Sequence, residues 1–138
     1  MNSTQEEKKI LLEMKQAKRY PIVRLELHNS EDAELVSVAL NYVRITDSME
    51  TVKERGAALQ SLMEKGLVFI DYTVRVWVSG DYDVYYKSKI YELLCHTVME
   101  SAKRPEAIFN LPYMRKGYAN LTAKGEKIAA HMEVKTSG

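Results

Sequence analysis

A chain of 138 residues with formal net charge +1, 46% hydrophobic and 28% charged residues has the make-up of one globular domain, not of a disordered or strongly polyionic segment. A length of this order buries about 68% of the unfolded surface, so a single core needs no covalent staple; the lone cysteine, Cys95, excludes an internal disulfide and fits a reducing compartment. The charged, amphipathic N-terminus lacks the apolar block of a signal peptide, and no stretch approaches the roughly 18 apolar residues of a membrane span, so the expectation is a cytoplasmic protein away from membranes.

In chain order, residues 4–18 carry Ile10, Leu11, Met14 and Ala17 at helical spacing, which predicts a helix that ends at Pro21. In "IVRLEL", Val23, Leu25 and Leu27 alternate with Arg24 and Glu26, the pattern of a short strand with one wet face. In "HNSED", Ser30 reads as the N-cap of a helix from Glu31 to Val43, apolar almost all round. Asp47 and Glu50 form a capping-box-like start for a second helix reaching Lys65, with Met49, Val52, Leu59, Leu62 and Met63 on one face. Gly66 fits a left-handed helix end. Residues 67–78 then alternate as one strand, with Val68, Ile70, Tyr72, Val74 and Val76 expected to face Leu35, Ala39, Leu59 and Leu62. "SGDYD" reads as a turn. A helix to about Lys103 follows, with Tyr86, Ile90, Leu94, Thr97 and Val98 on its apolar side. "GYANL" reads as a short strand, and Thr122 caps a last helix.

The inferred order of helix, strand, helix, helix, strand, strand, helix is α+β and resembles the winged helix-turn-helix superfamily of bacterial regulators. The resemblance is carried by "LQSLMEKGLVFIDY", where such proteins end the recognition helix and enter the wing, and by "GYANLTAKGEKIA", where the second wing strand leads into a helix through a Leu-Thr pair. The family's wing is a tight hairpin; here Gly66 and Thr122 are separated by a whole helix. The expectation is therefore one winged-helix-like domain over 1–138, with an insertion at 79–116 and a flexible tail at 135–138. Closure of the hairpin directly through "SGDYD" is an equal reading of the residues.

The resemblance implies a transcription regulator that binds double-stranded DNA as a homodimer. Ser48, Thr51, Lys53 and Arg55 at the start of the second middle helix would read the groove, and Arg115, Lys116 and Tyr118 would contact backbone from the wing. The outward helix face, Glu50, Lys53, Glu54, Ala57, Ser61 and Glu64, is acidic and ill-suited to phosphates, so a winged-helix module that binds other proteins and not DNA is the alternative. The stripes of the first helix and of the helix near 87–103 are the expected dimer surfaces.

Other chemistry is sparse. No phosphate loop, dinucleotide fingerprint or His-Glu-x-x-His is present. Cys95 and His96 project about 100° apart on a helix and form no nucleophile–base pair. Asp81 and Asp83 read as turn residues, His28 as a helper to the Ser30 cap, and His96 and His131 as surface residues. The expectation is no enzyme, no cofactor and no metal. Of nine tyrosines, Tyr82, Tyr85, Tyr86 and Tyr91 lie close together and are expected to divide between core and a partner surface.

Overall fold

The computed structural model describes residues 4–17, 19–73, 78 and 80–137. Its elements are α1 (Gln5–Gln16), β1 (Pro21–His28), β2 (Val36–Tyr42), α2 (Met49–Glu64), β3 (Val68–Asp71), α3 (Gly80–Tyr86), α4 (Lys89–Ala102), β4 (Leu111–Leu121) and α5 (Ala123–Ser137). The four strands form one antiparallel sheet in the order β2-β1-β4-β3. The fold is α+β. No helix among the described residues is long and apolar enough to cross a membrane.

Caps define the helices. The Thr4 hydroxyl accepts from the Glu7 amide at 3.1 Å and starts α1, and the Ser88 hydroxyl accepts from the Tyr91 amide and starts α4. The cap of α2 is Ser48, which accepts from the Thr51 amide, and not Asp47. Pro21 opens β1, a position where its missing N–H is tolerated.

Two predicted elements differ. The helix expected over 31–43 is a strand, β2, preceded by a hairpin loop. A segment apolar almost all round fits both periods, and cross-strand pairing with β1 decides between them. The Asn29 side chain accepts from the amides of Glu31 and Asp32, closing a turn where Ser30 was expected to cap a helix. The pair of middle helices is thus a strand and a helix. The twelve-residue strand is also shorter: β3 ends at Asp71, and Val74 and Val76 lie outside the described residues. Conversely, β4 is longer than "GYANL". It begins at Leu111, so of the stretch expected as an insertion residues 111–116 belong to the sheet, while α3, α4 and the loop at 103–110 stand apart from it. Gly80–Asp83 of "SGDYD" form the first turn of α3, not a free turn, whereas Ser79 lies outside the described residues, and α5 continues through Ser137, so 135–137 is helical.

Two apolar clusters lie on opposite sides of the sheet. One joins Ile10, Leu11 and Met14 of α1 to Leu59 and Leu62 of α2, Ile22, Val68 and Ala119 of the sheet, and Ala129 of α5. The other joins Val23, Leu25 and Met114 to Tyr42, Val52, Tyr82, Tyr85 and Ile90. Leu35 and Ala39, expected in the core, are exposed, because as parts of a hairpin loop and edge strand they do not face α2. Ile70 is half-buried against the first cluster.

The two stretches that carry the family resemblance meet directly. Gly66 takes φ 74°, a left-handed conformation that suits glycine. The Thr122 hydroxyl donates to Gly66 O at 2.7 Å and accepts from the Gly125 amide at 3.0 Å. The Thr122 amide donates to Leu67 O. A single threonine therefore ties the exit of α2 to the entry of α5.

Candidate functional site

The site is the stretch of β4 from Leu111 to Gly117 with the cleft beside it. Along Leu111–Tyr118 this strand pairs with β1 on one side. On its other side β3 covers only Tyr118 to Leu121, so among the described residues no strand pairs with the margin from Leu111 to Gly117. The Thr122 amide points towards β3, where it meets Leu67 O, and the Ala119 amide points the other way, to Tyr20 O. Alternation then turns the backbone N–H and C=O of Met114 and Lys116 away from β1, to the side of β3. Pro112, which has no N–H to leave unpaired, shares that orientation.

A cleft of about 340 Å³ runs beside this margin. On one side of the sheet it is bounded by Tyr72, Tyr113 and Arg115; on the other by Tyr86, Tyr91, Met114 and Lys116. Burial, and next the neighbouring Cys95, push the Tyr91 hydroxyl up to about 12, and burial raises Tyr72 as well. Both phenols therefore stay protonated at neutral pH and can donate.

The Tyr113–Arg115 side rests on a buried carboxylate. Glu26 is fully buried. Its oxygens accept from Arg24 Nε at 2.6 Å, Arg115 Nε at 2.8 Å and Arg115 Nη2 at 3.1 Å, and lie 2.8 Å from His28 Nε2. Burial pushes this carboxyl up, but the hydrogen bonds from Arg115, His28 and Arg24 outweigh it and draw it down to about 2. The His28 ring stacks on Tyr113 at 4.3 Å, and the guanidinium of Arg24 lies 4.8 Å from the Tyr72 ring centre. Charge alternates across one sheet face, with two guanidinium groups against one carboxylate, so the face remains net positive.

The opposite side holds Lys116. Its ammonium lies 5.7 Å from the Tyr82 ring centre and 5.1 Å from that of Tyr86, and among the described residues no carboxylate is within ion-pair distance of it. Ring faces attract a cation but do not neutralise it.

The seven residues expected to contact DNA fall as follows. Ser48 and Thr51 are hydrogen-bonded to each other at the cap of α2, and Lys53 is exposed on the same helix. Arg55 is half-buried: its Nη1 donates to Arg44 O, and its Nε is 3.5 Å from Glu6 Oε1. Arg115, Lys116 and Tyr118 are not at a wing tip; they lie mid-sheet, opposite Arg24, Val23 and Pro21 of β1. Being neighbours on a strand, Arg115 and Lys116 project to opposite faces. The Tyr118 hydroxyl donates to Asp81 Oδ2 at 2.8 Å, and Arg19 pairs with the same carboxylate. The start of α2 and the β4 residues are thus separate groups.

Sequence reasoning did not single out Arg24, Glu26 and His28 as a unit. The signal was present: the three alternate on the wet side of β1. His28 ends that strand and binds Glu26, where it was expected to assist a helix cap. The clustered tyrosines divide, with Tyr82 and Tyr85 in the core and Tyr86 and Tyr91 at the cleft. Of the two stripes expected to form a dimer, that of α1 is spent inside the fold, and in that of α4 Ile90 and Val98 are buried and Leu94 packs on the second cluster; Leu93 and Met99, outside the expected stripe, stand 50% and 63% exposed. Among the described residues no three His, Cys, Asp or Glu side chains are arranged to hold a metal ion.

Comparison with known protein families, curated proteins and solved structures finds no match.

Proposed function

We propose that this chain is a winged-helix-like module that binds other proteins and not duplex DNA. The winged-helix part of this reading is supported by the passage of α2 through Gly66 into β3, by the pairing of β3 with the end of β4, and by the Thr122 link into α5. β2 occupies the place of the family's first middle helix, so the element that seats a recognition helix in a groove has no counterpart here.

The observation that carries the functional reading is the state of the basic side chains. Duplex affinity comes mainly from cations that replace counterions on phosphates. Arg115 is committed to Glu26, Arg55 to Arg44 O and Glu6, and Lys116 is half-buried between tyrosines. The outward face of α2 adds Glu50, Glu54 and Glu64 to Lys53. Exposed apolar side chains, Leu93 and Met99 on α4 with Ile108, Leu111 and Tyr113 before and on β4, give a protein partner area to cover. A second copy docking through α4 belongs to the same reading.

The test is an anisotropy titration of labelled mixed-sequence duplex at about 50 mM salt. The expected result is no binding up to hundreds of micromolar protein. Binding that weakens with salt, with a log-log slope flattened by about 0.9 for each phosphate contact removed in Arg115→Ala or Lys116→Ala, would overturn the reading in favour of a DNA-binding regulator.

A further inference from the structure

We infer that a second copy of this chain pairs with the outer margin of β2, strand to strand and antiparallel, about a two-fold axis at Ser37. The inference goes beyond the protein-binding reading: it assigns β2 to self-association and leaves the exposed Leu93 and Met99 of α4 to other partners.

β2 is one edge of the sheet, and β3 forms the opposite edge. The Ala119 amide donates to Tyr20 O and the Asn110 amide to His28 O, so the even-numbered residues from Tyr20 to His28 turn their backbone groups to β4. Val23, Leu25 and Leu27 therefore bond β2, where they stand opposite Tyr42, Leu40 and Ser37. Alternation, with Ala39 unmatched at the register shift, leaves the N–H and C=O of Val36, Val38 and Asn41 on the outer side. α2 closes over the last of these, since a Cβ on Gly56 would lie 2.9 Å from Asn41 O. The outer groups of Val36 and Val38 have no partner among the described residues. The side chains of Val36 and Val38 stand 41% and 52% exposed, and that of Leu35 is exposed beside them.

Composition and charge select the occupant. Edge strands are commonly guarded by a lysine, a proline or an inward-pointing charge. The sequence VSVALNY of β2 has none of these. The register shift at Ala39 lies towards the α2 end, beyond Val38. Pairing about Ser37 sets Val36 opposite Val38 of the second copy, and Val38 opposite its Val36. Each such pair exchanges both backbone bonds, and the valines of the two copies meet on one face. No charge on β2 opposes its like across the axis. The hairpin loop before β2 carries Glu31, Asp32 and Glu34, none of them in an ion pair among the described residues. Pairing about Ser37 brings Glu34 of the second copy opposite Leu40, next to the point where α2 crosses the strand. Lys53 lies three residues before Gly56, hence on the side of α2 that borders β2. It is exposed and has no ion pair among the described residues. The acidic loop of each copy therefore meets Lys53 of the other, twice by symmetry.

Sedimentation equilibrium of the full chain should show a monomer–dimer equilibrium at about 10–100 μM protein. Val38→Lys should weaken it about tenfold or more, because it sets like charges across the axis. Lys53→Glu should weaken it about threefold or more at low salt. Val38 is more than half exposed, so its substitution keeps the fold, and a urea midpoint checks this separately. The double variant Leu93→Glu, Met99→Glu should leave the dimer unchanged. Oxidation in a Cys95→Ala background reads the register. Ser37 meets its own copy in a non-hydrogen-bonded pair, with Cα atoms about 4.5 Å apart and within disulfide reach. Ser37→Cys should therefore give a disulfide-linked dimer, and Ala39→Cys should not. A monomer at all concentrations up to about 1 mM overturns the inference and leaves the protein-binding reading intact. A dimer that survives Val38→Lys but is lost in the α4 double variant assigns the second copy to α4 and overturns the inference. Cross-linking through Ala39→Cys and not through Ser37→Cys overturns it as well.

Discussion

Replacing Glu26 by glutamine removes the one anion that organises Arg24, His28 and Arg115. The wild-type carboxyl is held at about 2 in place of its ordinary 4.5. At roughly 1.4 kcal/mol per pKa unit, this contributes about 3 kcal/mol to folding at neutral pH. Removing one partner of a buried ionic network costs roughly 3–5 kcal/mol. The Arg24 and Arg115 side chains are about one-third exposed and can rehydrate, so the lower end applies. Because the folded-state pKa is depressed, the contribution is complete above pH 4.5 and is lost as pH falls through about 2. Urea unfolding followed by circular dichroism at about pH 7, 5 and 2.5 measures it. Glu26→Gln should lie about 3 kcal/mol below wild type at the first two values, with most of the gap closed at the third, where Glu26 of the unfolded chain is protonated although that of the folded protein still carries most of its charge. A gap under about 0.5 kcal/mol at pH 7, or one that does not change with pH, refutes the assignment of Glu26 as the charged centre of this face.

Leu59 is fully buried between α1 and α2, so Leu59→Ala should lower stability by about 2–5 kcal/mol in the same urea assay. Two glycines should separate space from dihedral preference. A Cβ at Gly125 would lie 2.1 Å from Leu67 O, so Gly125→Ala should lose about 3 kcal/mol or more. At Gly66 nothing lies within 4 Å but φ is positive, so Gly66→Ala should lose only about 1–2 kcal/mol. Equal losses at the two positions, read from urea midpoints, would contradict the close approach of α5 to the exit of α2.

The sequence by itself determined the elements whose signal is local. Thr4 with the Ile10, Leu11 and Met14 stripe specified α1; Gly66 marked the end of α2; alternation in "IVRLEL" gave β1; Thr122 opened α5. In each case neighbours within a turn or a pleat decide the conformation. The tertiary structure decided what depends on pairing at a distance. Residues 36–42 satisfy both a helical and a strand period, and only the ladder with β1 selects the strand. The length of β4 was hidden because Pro112 reads as the border of an irregular segment and only "GYANL" as a strand. Pro112 turns its nitrogen away from β1, so no bond of that ladder is lost, and Gly117 is required where a Cβ would lie 2.8 Å from both Ile70 and Tyr72. The candidate site was legible only as types: a basic pair, a wet strand face and a cluster of tyrosines. That Arg115 belongs to Glu26, eighty-nine positions away, and Lys116 to the tyrosines of α3 follows from the alternation of β4, which sends adjacent side chains to opposite faces of a sheet whose strand order no local pattern encodes.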